Sequence, residues 1–245
     1  MAGKMLELKN LTIKFGGLTA LSELNFTLQE GEIAGLIGPN GAGKTTVFNL
    51  ISGVYKPTGG EVIFRNEDIT GLKPYQVCEK GIGRTFQVVK PFANKSVLYN
   101  VMVGAFLRTG DRGKCREKAL AVLEQVGLYD KRDVLSKNLT IVDRKRLEVA
   151  KALATEPKLL LLDEVLAGLN PTEVEEAVAL IRNIHRTGVS ILLIEHVLQA
   201  AMALSHRIMV LDYGKKIAEG TPQEVTSNPE VIKAYLGDKY GAVND

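Results

Sequence analysis

Cysteine is scarce: Cys78 and Cys115 are the only two in 245 residues, far apart and without histidine companions. A disulfide framework and a cysteine-ligated zinc site are thereby excluded, and a reducing compartment is expected. An excess of one charge sign is lacking too. The formal net charge is +3, and no Lys/Arg run is interleaved with aromatics. That mild basicity reads as a solvated surface, and no nucleic-acid partner is expected. No segment approaches the roughly 18 consecutive apolar residues of a membrane span. The opening "MAGKMLELKN" lacks the apolar run of a signal peptide. The chain is therefore expected on the cytoplasmic side, touching a membrane only through a partner. No internal repeat or low-complexity tract occurs.

What is present is an α/β texture. Apolar residues make up 45% of the chain, enough for one large domain or a core with a small insert. "MLELKNLTIKF" and "ALSELNFTLQEGE" alternate and read as antiparallel edge strands. "EIAGLIG", "LLLLDE" and "SILLIE" are short apolar runs without alternation, as expected of parallel strands buried on both faces. "GGEVIFRNEDI" reads as a further strand. From about Ser96 to Lys137 the period shifts to 3.6, which predicts a helical insert. "VDRKRLEVAKALA", "PTEVEEAVALIRNIHR" and "HVLQAAMALS" predict helices, "RIMVLDYGKKIAEG" a hairpin, and the tail is polar and helical.

One stretch carries chemistry strongly. Gly38, Pro39, Asn40, Gly41, Ala42, Gly43, Lys44 and Thr45 fit G-x-x-x-x-G-K-[ST] between a buried strand and a helix. Glycine lets backbone amides turn inward around phosphates, and the helix N-terminus adds its positive end. Lys44 offers a point charge to the β and γ phosphates, and Thr45 a hydroxyl ligand for Mg²⁺. Thr46 follows in the first helical turn and completes the nucleotide-binding set. At the end of "LLLLDE", Asp163 is the candidate to hold Mg²⁺ through water, and Glu164 to orient or deprotonate the attacking water. His196 stands beyond the carboxyl end of a strand, where open α/β sheets place ligand chemistry, and suits a hydrogen bond to the γ-phosphate. Gln87, in "GIGRTFQ", suits sensing of the metal and the water. His185 and His206 read as surface or satisfied residues. A guanine-specific N-K-x-D motif is absent, since "NKSV" at Asn94 lacks the aspartate. Adenine is favoured, stacked on Phe15, whose alternative is a core position in the edge sheet.

Taken together, these residues resemble the nucleotide-binding subunit of ATP-binding-cassette transporters, from Leu6 to about Gly237. "KFGGLTAL", "GIGRTFQ", "AGLNP" and "GTPQEVTSNPEVIKAYLG" are most similar to uptake ATPases for branched-chain and other hydrophobic amino acids. The resemblance implies a phosphate-loop NTPase core with a mostly parallel sheet and a β edge over residues 1–87 and 155–225. It places a helical subdomain with the signature helix at 88–154 and a tail at 226–245. It implies a Mg-dependent ATPase with ATP and Mg²⁺ as cofactors, at the cytoplasmic face of the membrane. Its partners would be transmembrane permease subunits and a second ATPase subunit, two ATPs being sandwiched between the pair. The stretch "VVKPFANKSVLYNV" would form the permease socket, with Pro91, Phe92, Val97, Leu98 and Val101 at the contact, unless the insert's own core claims them.

The departure lies in "LTIVDRKRLE". The family's signature is L-S-G-G-Q, whose glycine amides and serine hydroxyl reach the partner's γ-phosphate. The matching residues here are Leu139, Thr140, Ile141, Val142 and Asp143. Thr140 keeps a hydroxyl, both glycines are gone, and Asp143 brings a negative charge toward phosphate. Either the signature works poorly and the chain pairs with an unlike ATPase subunit, the favoured reading, or the helix approaches phosphate through Thr140 and its first free amides. Val165 and Asn170 also depart, standing where proline and aspartate are usual. An exporter or lipid-transport ATPase would share the engine. A soluble ATP-switch regulator would more commonly carry two cassettes, and a small-molecule kinase would need an acceptor pocket that no residues suggest.

Overall fold

A computed structural model describes residues 3–87 and 90–236. Val88 and Val89 of the expected socket, and the tail from residue 237, lie outside the described residues. The chain forms two compact units, one from residues 1–77 and 190–245, the other from residues 78–189.

The first unit opens with β1 (Lys4–Phe15) and β2 (Leu18–Gln29), antiparallel and closed by a two-glycine turn. Alternation, switched in phase by register shifts on either side of the Leu11–Leu24 pair, turns Leu6, Leu8, Leu11, Leu21, Leu24 and Leu28 into the core. β3 (Ile33–Ile37) is buried at every residue and feeds α1 (Lys44–Ile51). β4 (Gly59–Phe64) and β5 (Glu67–Asp68) form a hairpin where a single strand was expected. Arg65 and Asn66 turn the chain there with φ of 48° and 65°, the left-handed pair of a tight hairpin turn. β4 pairs with β1, giving an antiparallel sheet in the order β2-β1-β4-β5. α2 (Pro74–Lys80) leads out of this stretch.

The second unit contains β6 (Ile82–Arg84), α3 (Val97–Ala105), α4 (Arg112–Gln125), α5 (Ile141–Leu153), β7 (Leu159–Asp163) and α6 (Pro171–Arg186). β6 and β7 are parallel, with Arg84 level with Leu161. The four leucines of β7 are fully buried. Each contributes about 1.5–3 kcal/mol relative to exposure, which is why four in a row specify a two-sided strand. Asn100 is fully buried yet satisfied. Its carbonyl accepts from the Phe92 amide at 2.8 Å, and its NH₂ donates to Ser96 O at 2.9 Å and Ser136 Oγ at 2.8 Å. These bonds clamp the loop before α3, and Ser96 caps that helix through the Tyr99 amide.

That clamp corrects the expected permease contact. Val97, Leu98 and Val101 are buried in the second unit's own core, whereas Phe92, Tyr99, Val103 and Phe106 are exposed. Helical period alone distinguishes two faces of a helix but not which one a small core takes.

The chain then returns to the first unit with β8 (Ser190–Ile194), α7 (Leu198–Leu204), β9 (Arg207–Asp212), β10 (Lys215–Gly220), α8 (Pro222–Thr226) and α9 (Pro229–Leu236). β3 is flanked by β8 and β9, both parallel to it, and β10 pairs antiparallel with β9. The molecule is thus α/β, with parallel strands, an antiparallel edge sheet and helices.

Candidate functional site

The loop after β3 is built by glycine. Gly38 has φ 147°, and a Cβ there would lie 2.1 Å from the Leu211 carbonyl oxygen. Gly43, at φ 103°, caps α1, and a Cβ there would press on Leu21 Cδ2 at 3.0 Å and Ala20 O at 3.2 Å. Only glycine meets both the backbone angle and the approach. The loop is tied down on one side, because the Gly214 amide donates to Ala42 O at 3.0 Å and the Ser22 amide to Gly214 O at 3.0 Å. The loop also borders a cleft of about 610 Å³ that includes Pro39, Asn40 and Gly41 with Tyr213 and Lys233.

Lys44 is 6% exposed, and its ammonium donates to Gly38 O at 2.7 Å and Pro39 O at 2.9 Å. The loop therefore wraps around a positive charge at the start of a helix, whose free amides and dipole add to it. Thr45 is exposed and Thr46 half-buried in the first turn of α1. This arrangement fits a polyphosphate.

Two further candidates lie in the same unit. Phe15 is 45% exposed at the turn end of β1, edge-on to Tyr55 with centroids 5.3 Å apart, so it is not a core side chain. His196 is exposed, two residues beyond β8, where Ile194 pairs with Leu36 of β3. His196 and the phosphate loop thus emerge from the same carboxyl edge of neighbouring strands. His206 has the satisfied role expected of it, its Nδ1 accepting from the Ile33 amide at 2.9 Å.

In the second unit, β7 ends at Asp163, which is 3% exposed and donates its amide to Thr85 Oγ1 at 3.0 Å. Glu164 follows with φ 51°, a left-handed backbone that is uncommon for a side chain with a Cβ. That turn directs Glu164 to Gln87, whose Nε2 donates to Glu164 Oε2 at 2.5 Å. The ammonium of Lys145, on α5, donates to the Glu164 carbonyl at 3.1 Å. Gln87, Asp163 and Glu164 are therefore gathered at one strand end. Sequence reading missed Lys145, which no local signal marks, and Arg84, which lies inside "GIGRTFQ" and forms an ion pair with Asp163 at 3.1 Å.

The glycine-free helix start differs from expectation. Thr140 is the N-cap of α5; its hydroxyl accepts from the Asp143 amide at 3.1 Å and donates to Asp143 Oδ2 at 2.8 Å. Lys131 Nζ lies 2.5 Å from the same oxygen. Burial alone pushes the Asp143 carboxyl up, but the hydrogen bonds from Lys131 and Thr140 and the Lys131 charge outweigh it and hold the group below the usual carboxylate range. The negative charge expected to face phosphate is thus neutralised inside the unit. What α5 presents at its start is Ile141, 68% exposed. Asn170, another departure, caps α6 in a reciprocal box with Glu173.

The donor chemistry suits Mg²⁺. Mg²⁺ takes oxygen ligands, keeps several waters and binds through one or two carboxylates plus phosphates rather than an all-protein cage. Asp163 and Thr45 are oxygen donors of that kind. No cluster of three or more His, Cys, Asp or Glu suited to a metal occurs among the described residues. No helix among them is long and apolar enough to cross a membrane.

The profile of the ABC transporter family matches residues 21–167, and that of the branched-chain amino acid ATP-binding cassette transporter matches residues 215–240. The chain is 41% identical to the high-affinity branched-chain amino acid transport ATP-binding protein LivG of Escherichia coli K12, covering 97% of this chain and 100% of that one. It is 39% identical to BraF of Pseudomonas aeruginosa, a protein of the same description, over the same shares. Among solved structures, the ADP conformation of MJ1267, an ATP-binding cassette of an ABC transporter, superposes with a TM-score of 0.87 at 30% identity, covering 96% of this chain and 99% of that one. A dimeric post-hydrolysis state of the cassette MJ0796, bound to ADP and Pi, superposes with a TM-score of 0.81 at 26% identity, covering 89% and 99%.

Proposed function

The chain belongs to the ABC transporter family, and from that membership we propose that it is the ATP-hydrolysing subunit of an importer of branched-chain amino acids. The observation that carries the ATPase reading is the Gln87–Glu164 bond, which aims a carboxylate from the end of the buried β7 beside Asp163. The cargo rests on LivG and BraF and on the match of the tail.

In this reading the backbone N–H groups of Gly38 and Asn40–Thr46, with Pro39 and Ala42 shaping the loop, hold the phosphates of ATP, and Lys44 supplies the charge. Phe15 stacks on adenine. Thr45, Gln87 and Asp163 are the residues that would hold Mg²⁺. Mg²⁺, when bound, neutralises phosphate charge and supports phosphoryl transfer. Glu164 orients the attacking water or takes its proton, while Gln87 holds the Glu164 carboxylate in place. His196 hydrogen-bonds the γ-phosphate.

The second ATPase subunit is an unlike one. Thr140 spends its hydroxyl on Asp143, and Ile141 sets a bulky apolar side chain at the first helical position. An incoming phosphate meets neither a glycine amide nor an uncommitted hydroxyl there. The chain therefore supplies a competent phosphate loop and an impaired signature. Permease subunits dock on the exposed Phe92 and Tyr99, which stand edge-on with centroids 6.2 Å apart, and hold the chain at the cytoplasmic face of the membrane.

The test is uptake of labelled leucine into proteoliposomes carrying the assembled transporter and its binding protein. Wild type should import leucine only with ATP, and Glu164→Gln should bind ATP without importing. An assembled complex that hydrolyses ATP yet takes up none of leucine, isoleucine and valine would refute the cargo.

A further inference from the structure

Arg84 is a buried charge at the acidic strand end to which the catalytic reading gives no task. It closes β6, level with Leu161 of β7, and its Nη2 reaches Asp163 Oδ2 at 3.1 Å. Both side chains are buried, 8% and 3% exposed. Its guanidinium also lies over the Phe86 ring, 5.2 Å from the centroid. The neighbouring residue continues the arrangement, because the Thr85 amide donates to Leu161 O at 2.9 Å and its hydroxyl accepts from the Asp163 amide. Two consecutive residues thus fix the backbone and the carboxylate of Asp163.

A carboxylate this deeply buried is costly without a cation beside it. Mg²⁺ can be that cation only while it is bound. Before and after, on the proposed reading of the site, an Asp163 deprived of its ion pair with Arg84 would also repel the phosphates of a nucleotide arriving or leaving without metal.

We infer that Arg84 is a positioning residue that serves as resident counter-ion to Asp163, standing in for the metal's charge so that the site accepts and releases nucleotide whether or not Mg²⁺ accompanies it. The inference rests on the reading that Asp163 faces the metal. Arg84 opposes phosphate repulsion when Mg²⁺ is absent and competes mildly with Mg²⁺ when it is present. Its contribution is therefore largest for metal-free nucleotide. A bond that merely held β6 to β7 would affect both forms alike.

The experiment measures the Kd of a fluorescent N-methylanthraniloyl ATP on the full chain, once in EDTA and once in Mg²⁺, for wild type, Arg84→Met, Arg84→Lys and Asp163→Asn. Arg84→Met should weaken metal-free binding about tenfold and leave Mg²⁺-nucleotide binding within about twofold, so the ratio of the two constants rises. Arg84→Lys should restore the ratio toward wild type. Asp163→Asn should collapse the ratio toward one, because it removes the carboxylate that answers to metal. An Arg84→Met ratio equal to wild type overturns the inference, whether both affinities hold or both fall together. If Asp163→Asn leaves the ratio unchanged, the metal reading of Asp163 fails, and the inference with it. Should Arg84→Met fold poorly, the Arg84→Lys and Arg84→Gln pair decides in its place: the same ratio in both overturns the inference, and a higher ratio in Arg84→Gln supports it.

Discussion

The side-chain amide of Gln87 donates to Oε2 of Glu164 across 2.5 Å, joining two residues 77 positions apart in sequence. Glu164 makes that bond from a left-handed backbone, and its carbonyl is held by Lys145 at 3.1 Å. A carboxylate fixed from both its oxygen and its backbone is pre-organised to act on a water. Replacing Glu164 by Gln should lower ATP turnover by ~10²–10⁴ while leaving nucleotide affinity near wild type. Steady-state phosphate release and equilibrium binding on the same preparation check the two halves of this expectation.

Lys44 should behave in the opposite way. Its buried ammonium is the charge around which the loop closes. Lys44→Ala should weaken ATP binding by roughly ten- to a hundredfold, the worth of hydrogen bonds to a charged group. Isothermal titration gives the affinity directly. Wild-type affinity in the variant would overturn the phosphate-loop assignment.

The Asp143 cluster predicts a pH dependence of stability. The folded-state carboxyl is held below its usual range, so its contribution is present above the unfolded value and lost as pH falls through the folded one. Asp143→Asn should cost about 1 kcal/mol at neutral pH, since Lys131 is 47% exposed and screened by solvent. The gap to wild type should start to close below about pH 3.9 and vanish once Asp143 itself is protonated. Urea melts across that window measure it; a gap that stays constant into acid would contradict the pairing.

Glycines put back at Ile141 and Val142 should raise ATP turnover in the assembled transporter. They should also lower the stability of the second unit by about 1 kcal/mol each, the usual cost of glycine inside a helix. Turnover that does not rise would mean that the native helix start already suffices.

At the exposed edge of the second unit, Phe92→Asp should reduce co-purification with the permease without changing the ATPase activity of the free chain. Val97→Asp, buried in the core, should instead lower the melting temperature. A Phe92→Asp variant that binds permease normally would move the docking face elsewhere.

The parts of this molecule most legible in sequence are those in which local chemistry and burial coincide. Four consecutive leucines ending in Asp163 read as a two-sided strand, and Gly38 to Thr45 carries its own geometry. α6 was readable from the helical period of "PTEVEEAVALIRNIHR", whereas the capping box of Asn170 and Glu173 that starts it emerged only in the structure. The misses share a cause too. β6 is three residues long, too short for any period to register. The β4–β5 hairpin depends on left-handed angles at Arg65 and Asn66; Asn66 is a usual residue for such a turn, but Arg65 beside it gives no signal. The Lys131–Asp143 and Arg84–Asp163 pairs join residues 12 and 79 positions apart, and only folding brings them together.

The account turns on one asymmetry: a competent phosphate loop and a signature helix closed to phosphate by Thr140, Asp143 and Ile141. The most direct test is light scattering after gel filtration on Glu164→Gln with MgATP, first alone and then mixed with an unlike cassette subunit that keeps an intact signature. The account predicts a monomer that binds ATP when alone and a dimer only in the mixture. A stable ATP-dependent dimer of this chain with itself would contradict it.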